Sequence, residues 1–133
     1  MNNIFENLLW LMLCVYFEAA GEPIEDKKKV GHVILNRVAK SDHSVKDVVL
    51  KPWQFSWLNN NKRPPITSYE ALSECLEAVA MVCTERLDGK DFFGADHYYS
   101  PKSMIPKNSV PSWVASMKEL VDETPGFKFY RYK

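Results

Sequence analysis

The sequence predicts a mainly α fold of the α+β kind, with a buried central helix and a small β subregion, and three observations predict it. The run from Leu8 to Phe17 is apolar on every side of a helix. Two later segments, Val30 to Val38 and Leu72 to Cys83, repeat apolar residues at helical spacing. The stretches with strand character, Trp53–Trp57, Phe92–Ser100 and Phe127–Tyr132, are short. With 133 residues, 46% of them hydrophobic, the chain fits one domain spanning 1–133 with enough apolar material for a core.

The first helix is expected from about Asn3 to Ala20. Asn3 can cap it, Glu6 follows three residues on as in a capping box, and Gly21 and Pro23 stand past its end. A helix without a polar side belongs in the middle of a domain, so its last turn carries Glu18 from the core to whatever surface the helix reaches. Pro23 suits the first turn of a second helix, with Glu22, Glu25 and Asp26 near its positive end and Val30, Val33, Ile34 and Val38 on one packing face. Ser44 to Leu50 reads as a short capped helix stopped by Pro52, and Trp53–Trp57 as an extended segment before the loop Asn59–Pro65. Thr67 to Glu70 forms a capping box for a long helix, whose face Leu72, Cys75, Leu76, Val79, Val82 and Cys83 continues until Gly89. Ser112 can cap a last helix to about Val121, and Phe127–Tyr132 closes the chain as a strand.

Composition narrows the function classes. Seventeen basic residues balance seventeen acidic ones, which leaves no electrostatic footprint for nucleic acid. The apolar run of 10 residues falls short of the roughly 20 that a membrane span needs. Met1–Asn7 has no Lys or Arg and carries Glu6, so no secretory signal peptide and no stable membrane insertion are expected. Cys14, Cys75 and Cys83 form an odd set without metal-ligand spacing, and Cys75 and Cys83 on one helix stand roughly 12 Å apart, beyond disulfide reach. Free thiols and a reducing compartment are expected.

Acid chemistry on a glycosidic bond needs a carboxyl that stays protonated near neutral pH, and partial burial raises a glutamate in that direction. Glu18 has that setting: it ends an apolar helix and precedes Gly21, where the chain turns and a substrate can approach the backbone. The alternative is an ordinary surface glutamate. Glu22 lies four residues on, so in a continuous helix the two carboxyls would approach to about 5–6 Å; as a first-turn acid of the second helix it would merely face the macrodipole. Asp96, within Gly94–Tyr99, is the other second carboxylate, or else a loop hydrogen-bond acceptor. Trp53-Gln54-Phe55-Ser56-Trp57 offers flat apolar faces with amide and hydroxyl groups, the mixture a sugar cleft uses, although aromatic clusters also build cores. Three histidines without a spacing pattern point to hydrogen bonding, and no metal or cofactor is expected.

These residues carry a resemblance. Tyr16-Phe17-Glu18-Ala19-Ala20-Gly21-Glu22, Val33-Ile34-Leu35-Asn36-Arg37-Val38, Ser44 to Val49, Gln54-Phe55-Ser56, Gly94-Ala95 with Tyr98-Tyr99, and Pro111-Ser112-Trp113 resemble, in order and spacing, the cell wall hydrolase family typified by the spore-cortex-lytic enzyme SleB. The resemblance implies a lysozyme-like fold and lytic transglycosylase activity between N-acetylmuramic acid and N-acetylglucosamine, with Glu18 as sole catalytic carboxylate. It further implies that Gln54, Phe55, Ser56, Tyr98, Trp113 and Glu22 bind substrate, and that Asn36 and Arg37 brace the catalytic helix from the second one. The family's closing Gly-x-His block is missing: here the chain reads Gly126-Phe127-Lys128-Phe129-Tyr130. The family's spore members carry signal peptides and wall-binding repeats, so a bare catalytic domain resembles a phage endolysin. Such a protein is a monomer held in the host cytoplasm that acts on peptidoglycan glycan strands once the membrane is permeabilised. Two alternatives stand beside it: a hydrolytic muramidase pairing Glu18 with Asp96 or Glu22, and a catalytically silent wall-binding or virion module that keeps the fold.

Overall fold

The computed structural model describes residues 4–51, 65–89, 93–116 and 119–132. Its helices are α1 (Ile4–Ala19), α2 (Ile24–Ala39), α3 (Val45–Leu50) and α4 (Tyr69–Leu87), followed by strands β1 (His97–Tyr99), β2 (Glu119–Glu123) and β3 (Lys128–Arg131). Caps define the helix starts. Ser44 and Asp47 close a reciprocal capping box on α3, and the Ser68 hydroxyl accepts from the Ala71 amide at 3.1 Å on α4. The α4 cap is thus Ser68 and not Thr67, and the Tyr16 hydroxyl accepts the Thr67 and Ser68 amides at 3.1 and 3.2 Å beside it. Gly89 ends that helix with φ +66°, the left-handed conformation that glycine adopts without a Cβ clash.

The second half of α1 is the axis of the core. Leu11, Leu13, Cys14, Val15, Tyr16 and Ala19 are buried among Val30, Val33 and Ile34 of α2, Val45 and Val49 of α3, and Cys75 and Val79 of α4. The expectation of burial all round fails at Leu9 within the apolar run, which is 48% exposed, and Ile4 and Phe5 ahead of the run are exposed as well. Asn3, the expected cap, lies outside the described residues, while Glu6 pairs with Lys46 at 3.0 Å. Among the described residues no helix is long and apolar enough to cross a membrane.

The sheet is antiparallel in the order β1-β3-β2. Tyr98 stands opposite Phe129 and His97 opposite Tyr130, so the period-two alternation of strands sends Tyr98, Phe127 and Phe129 toward the helices and His97, Tyr99 and Tyr130 away from them. Phe127 and Phe129 are buried in the helical core and fasten the sheet to it.

One predicted element is overturned. Ser112–Val121 is not a helix: it makes a single 3-10 turn over Ser112–Ser116, after which β2 begins at Glu119. Leu120 pairs with Tyr130 and Asp122 with Phe129 across a bulge. The free edge of β3 needs a partner for its amides and carbonyls, and that long-range demand overrides a local helical preference.

Candidate active site

Glu18 occupies the last turn of α1. Its helix stops at Ala19, and Glu22 closes the turn through its amide to the Ala19 carbonyl at 3.0 Å. Lys27, itself buried, staples this corner: its ammonium donates to the Glu22 carbonyl at 2.6 Å and to Glu74 of α4 at 2.7 Å. The backbone just past Glu18 is therefore pinned to two helices.

The Tyr98 hydroxyl donates a short hydrogen bond to Glu18 Oε1. Burial raises the Glu18 carboxyl above the usual range, and the Tyr98 hydrogen bond and the charge of Arg37 offset that only in part. Burial, with the Glu18 charge beside it, also pushes Tyr98 well above an ordinary phenol, so this hydroxyl stays a proton donor to the carboxylate. The pair is a dehydrated acid held by a neutral partner, the condition under which a carboxyl keeps its proton toward neutral pH.

Tyr98 is itself positioned. Asn36 of α2 donates to the carbonyls of Phe93 and Ala95, each at 2.7 Å, and accepts from Arg86 of α4 at 3.0 Å. Arg37 Nε donates to the Asp96 carbonyl at 2.6 Å. What Asn36 and Arg37 brace by these bonds is the segment leading into β1, and through it the partner of Glu18. His32 extends the network, with Arg86 donating to its Nδ1 at 3.3 Å and its Nε2 facing Glu85 at 3.0 Å.

The two other carboxylates are engaged elsewhere. Because α1 ends at Ala19, Glu22 does not continue the face of Glu18; it pairs with Lys102 at 2.5 Å and lies over Gly126. A Cβ on Gly126 would stand 2.7 Å from its carboxylate oxygen, so the glycine is required by this approach. Asp96 is buried and bound by Lys40 and, at 3.0 Å, by His97 Nδ1. Burial alone would raise Asp96, but the hydrogen bonds from His97 and Lys40 outweigh it and hold the group below the usual range.

The remaining expected site residues divide. Gln54, Phe55 and Ser56 lie outside the described residues. Trp113 packs on the outer side of the sheet against His97, Tyr130 and Tyr99, with ring centroids 5.4, 5.6 and 6.0 Å apart, across β1 from Tyr98 and Glu18. Among the described residues no three His, Cys, Asp or Glu side chains are grouped as a metal site requires. Sequence reasoning passed over Lys27 and Lys40. A lysine in an amphipathic helix gives no sign that it will be buried, as Lys27 is against Glu74, 47 residues away, nor that it will reach a buried carboxylate, as the exposed Lys40 does at Asp96, 56 residues away.

Comparison with known proteins bears on the whole chain. A family model described as Cell Wall Hydrolase matches residues 21–130, a span that opens three positions after Glu18. The catalytic domain of the germination-specific lytic transglycosylase SleB from Bacillus anthracis superposes with a TM-score of 0.65 at 22% identity, over 94% of this chain and 93% of that one. The catalytic domain of the Bacillus cereus SleB protein gives 0.63 at 24% identity, over 95% and 91%. Both show a shared fold, helical with a small sheet, as the sequence predicts. No curated protein matches in sequence.

Proposed function

The chain belongs to the cell wall hydrolase family, and from that membership we propose that it is a peptidoglycan-cleaving lytic transglycosylase in which Glu18 is the catalytic acid. The observation that carries the proposal is the Glu18–Tyr98 pair: a carboxyl raised by burial, with a neutral hydroxyl as its hydrogen-bond partner. In the first half of the reaction Glu18 protonates the glycosidic oxygen as the bond between N-acetylmuramic acid and N-acetylglucosamine breaks. As a carboxylate it then takes the proton of the muramoyl six-position hydroxyl, whose oxygen attacks the anomeric carbon and closes a 1,6-anhydro ring. The nucleophile belongs to the substrate, which supplies its proximity advantage. No second carboxylate is needed, in keeping with Glu22 being held by Lys102 and Asp96 by Lys40. Tyr98 holds the carboxyl's orientation; Gln54, Phe55, Ser56, Glu22 and Trp113 are proposed substrate contacts by family resemblance.

Mass spectrometry of the released muropeptides tests the reaction. Anhydromuramic ends are expected from the wild type and no products from Glu18→Gln; new reducing ends would show a hydrolase instead. The same reading takes the protein to be a monomeric phage lysin kept in the host cytoplasm until the membrane opens. Buried Cys14 and Cys75 and the partly buried Cys83, none of them in a disulfide, fit a reducing compartment. Expression in a host is then expected to leave cells intact until a membrane permeabiliser is added, and spontaneous lysis would count against storage in the cytoplasm.

A further inference from the structure

The side of β1 turned away from Glu18 borders a cleft that the proposed reaction does not use. It has a volume of about 820 Å³ and lies among the end of α2, α3 and the outer side of the sheet. Arg37, Lys40 and Lys51 line it together with Asp47, Asp96 and the ring of Tyr132. The two carboxylates are tied down from within the chain, Asp47 by the Ser44 amide at 3.4 Å and Asp96 by Lys40 and His97. Lys51 is exposed. Arg37 is common to both regions, since it lines the cleft and its charge also acts on Glu18.

A lining of both signs selects against some ligands. A polyphosphate chain is drawn by a broad positive field, and a protein with seventeen basic and seventeen acidic residues does not supply one. A short peptide that carries carboxylates and an amino group meets partners of both signs here, and Tyr132 offers an apolar face to its backbone. Resting on the glycan reading above, we infer that this cleft binds the zwitterionic peptide that the wall glycan carries, with its carboxylates toward Lys40 and Lys51 and its amino group toward Asp47. The enzyme then acts on peptide-bearing strands in preference to bare ones.

Two soluble substrates test this: glycan strands with their peptides, and the same strands after an amidase has removed them. The wild type is expected to show a KM about fivefold lower on the first, and Lys51→Glu to bring the two within about twofold. Binding gives an independent reading. Glu18→Gln protein is expected to be retained more by peptide-bearing strands than by stripped ones, and adding Lys51→Glu is expected to abolish the difference while the circular dichroism spectrum is unchanged. Equal KM values for the wild type, or a preference that survives both Lys51→Glu and Asp47→Lys, would overturn the inference. So would a preference that disappears when wall phosphate polymer, and not peptide, is removed. Full cleavage by Glu18→Gln would sink the glycan reading instead and leave the strand-retention result readable on its own.

Discussion

Glu18 and Asp96 are two carboxyls withdrawn from water on opposite sides of the same short strand, and they titrate in opposite directions. Burial raises both. Around Glu18 the neutral Tyr98 hydroxyl donates a hydrogen bond and Arg37 contributes its charge, and burial outweighs both, so the group moves up. Around Asp96 the donors are Lys40 and His97, and their hydrogen bonds outweigh burial and carry the group down. A dry carboxyl is therefore not by that fact an acid catalyst; the charge of its partners decides which way it moves.

The largest effect expected from this contrast is on catalysis. Glu18→Gln should lower cleavage by about 1,000-fold or more, measured as muropeptide release. Its stability should move the other way. A folded-state pKa above the unfolded one costs stability as pH rises past the unfolded value, so Glu18→Gln should melt above the wild type at neutral pH and converge with it below about pH 4. A wild type that melts higher at neutral pH would contradict the raised carboxyl.

Asp96→Asn should do the reverse, losing stability while keeping most of its activity. Breaking a pair in which Asp96 is buried but Lys40 is 56% exposed should cost about 1–2 kcal/mol at neutral pH, well under the penalty for a fully buried pair. Because its folded pKa is lowered, that stability is present above the unfolded pKa and vanishes as pH falls through the folded value. Chemical denaturation at neutral and acidic pH checks the sign. If Asp96→Asn were as inactive as Glu18→Gln, Asp96 would be a second catalytic group and the contrast between the two would fail.

Tyr98→Phe sharpens the comparison from the other partner. Removing a donor that favours the ionised carboxylate should lift Glu18 further, moving the alkaline limb of kcat/KM to higher pH while the rate falls about tenfold through lost orientation. The smallest effect expected is from Asn36→Ala. It leaves the carbonyls of Phe93 and Ala95 without their donor, for about 1–2 kcal/mol of stability and a several-fold loss of activity that lower temperature partly restores.

Much of the helical layer was legible because its signals are local. Ser44 with Asp47, Gly89 after its helix, and the apolar period of α2 and α4 each act within a turn or two of chain. Glu18 was legible for the same reason: an apolar run carries a carboxyl to a glycine corner. The α1 period misled at its start, since a pattern apolar on every side says nothing of whether a neighbour exists to cover Leu9. It misled again at β2, where Ser112–Val121 looks helical by itself and becomes partly strand only because β3 offers an unpaired edge.

The amino-acid sequence by itself determined the α1, α2, α3 and α4 helices, the Ser44 cap and the position of one acid at the end of the central helix, since nearest-neighbour forces settle these. Tertiary structure alone decided that Tyr98 meets Glu18, that Lys27 and Lys40 find carboxylates far along the chain, and that Asp96 and Glu18 shift in opposite directions. A carboxyl's proton affinity depends on charges and dehydration within a few ångströms in space. Tyr98 stands 80 positions from Glu18 and Lys40 56 from Asp96, and of these hydrogen-bond donors only His97 adjoins its partner in sequence.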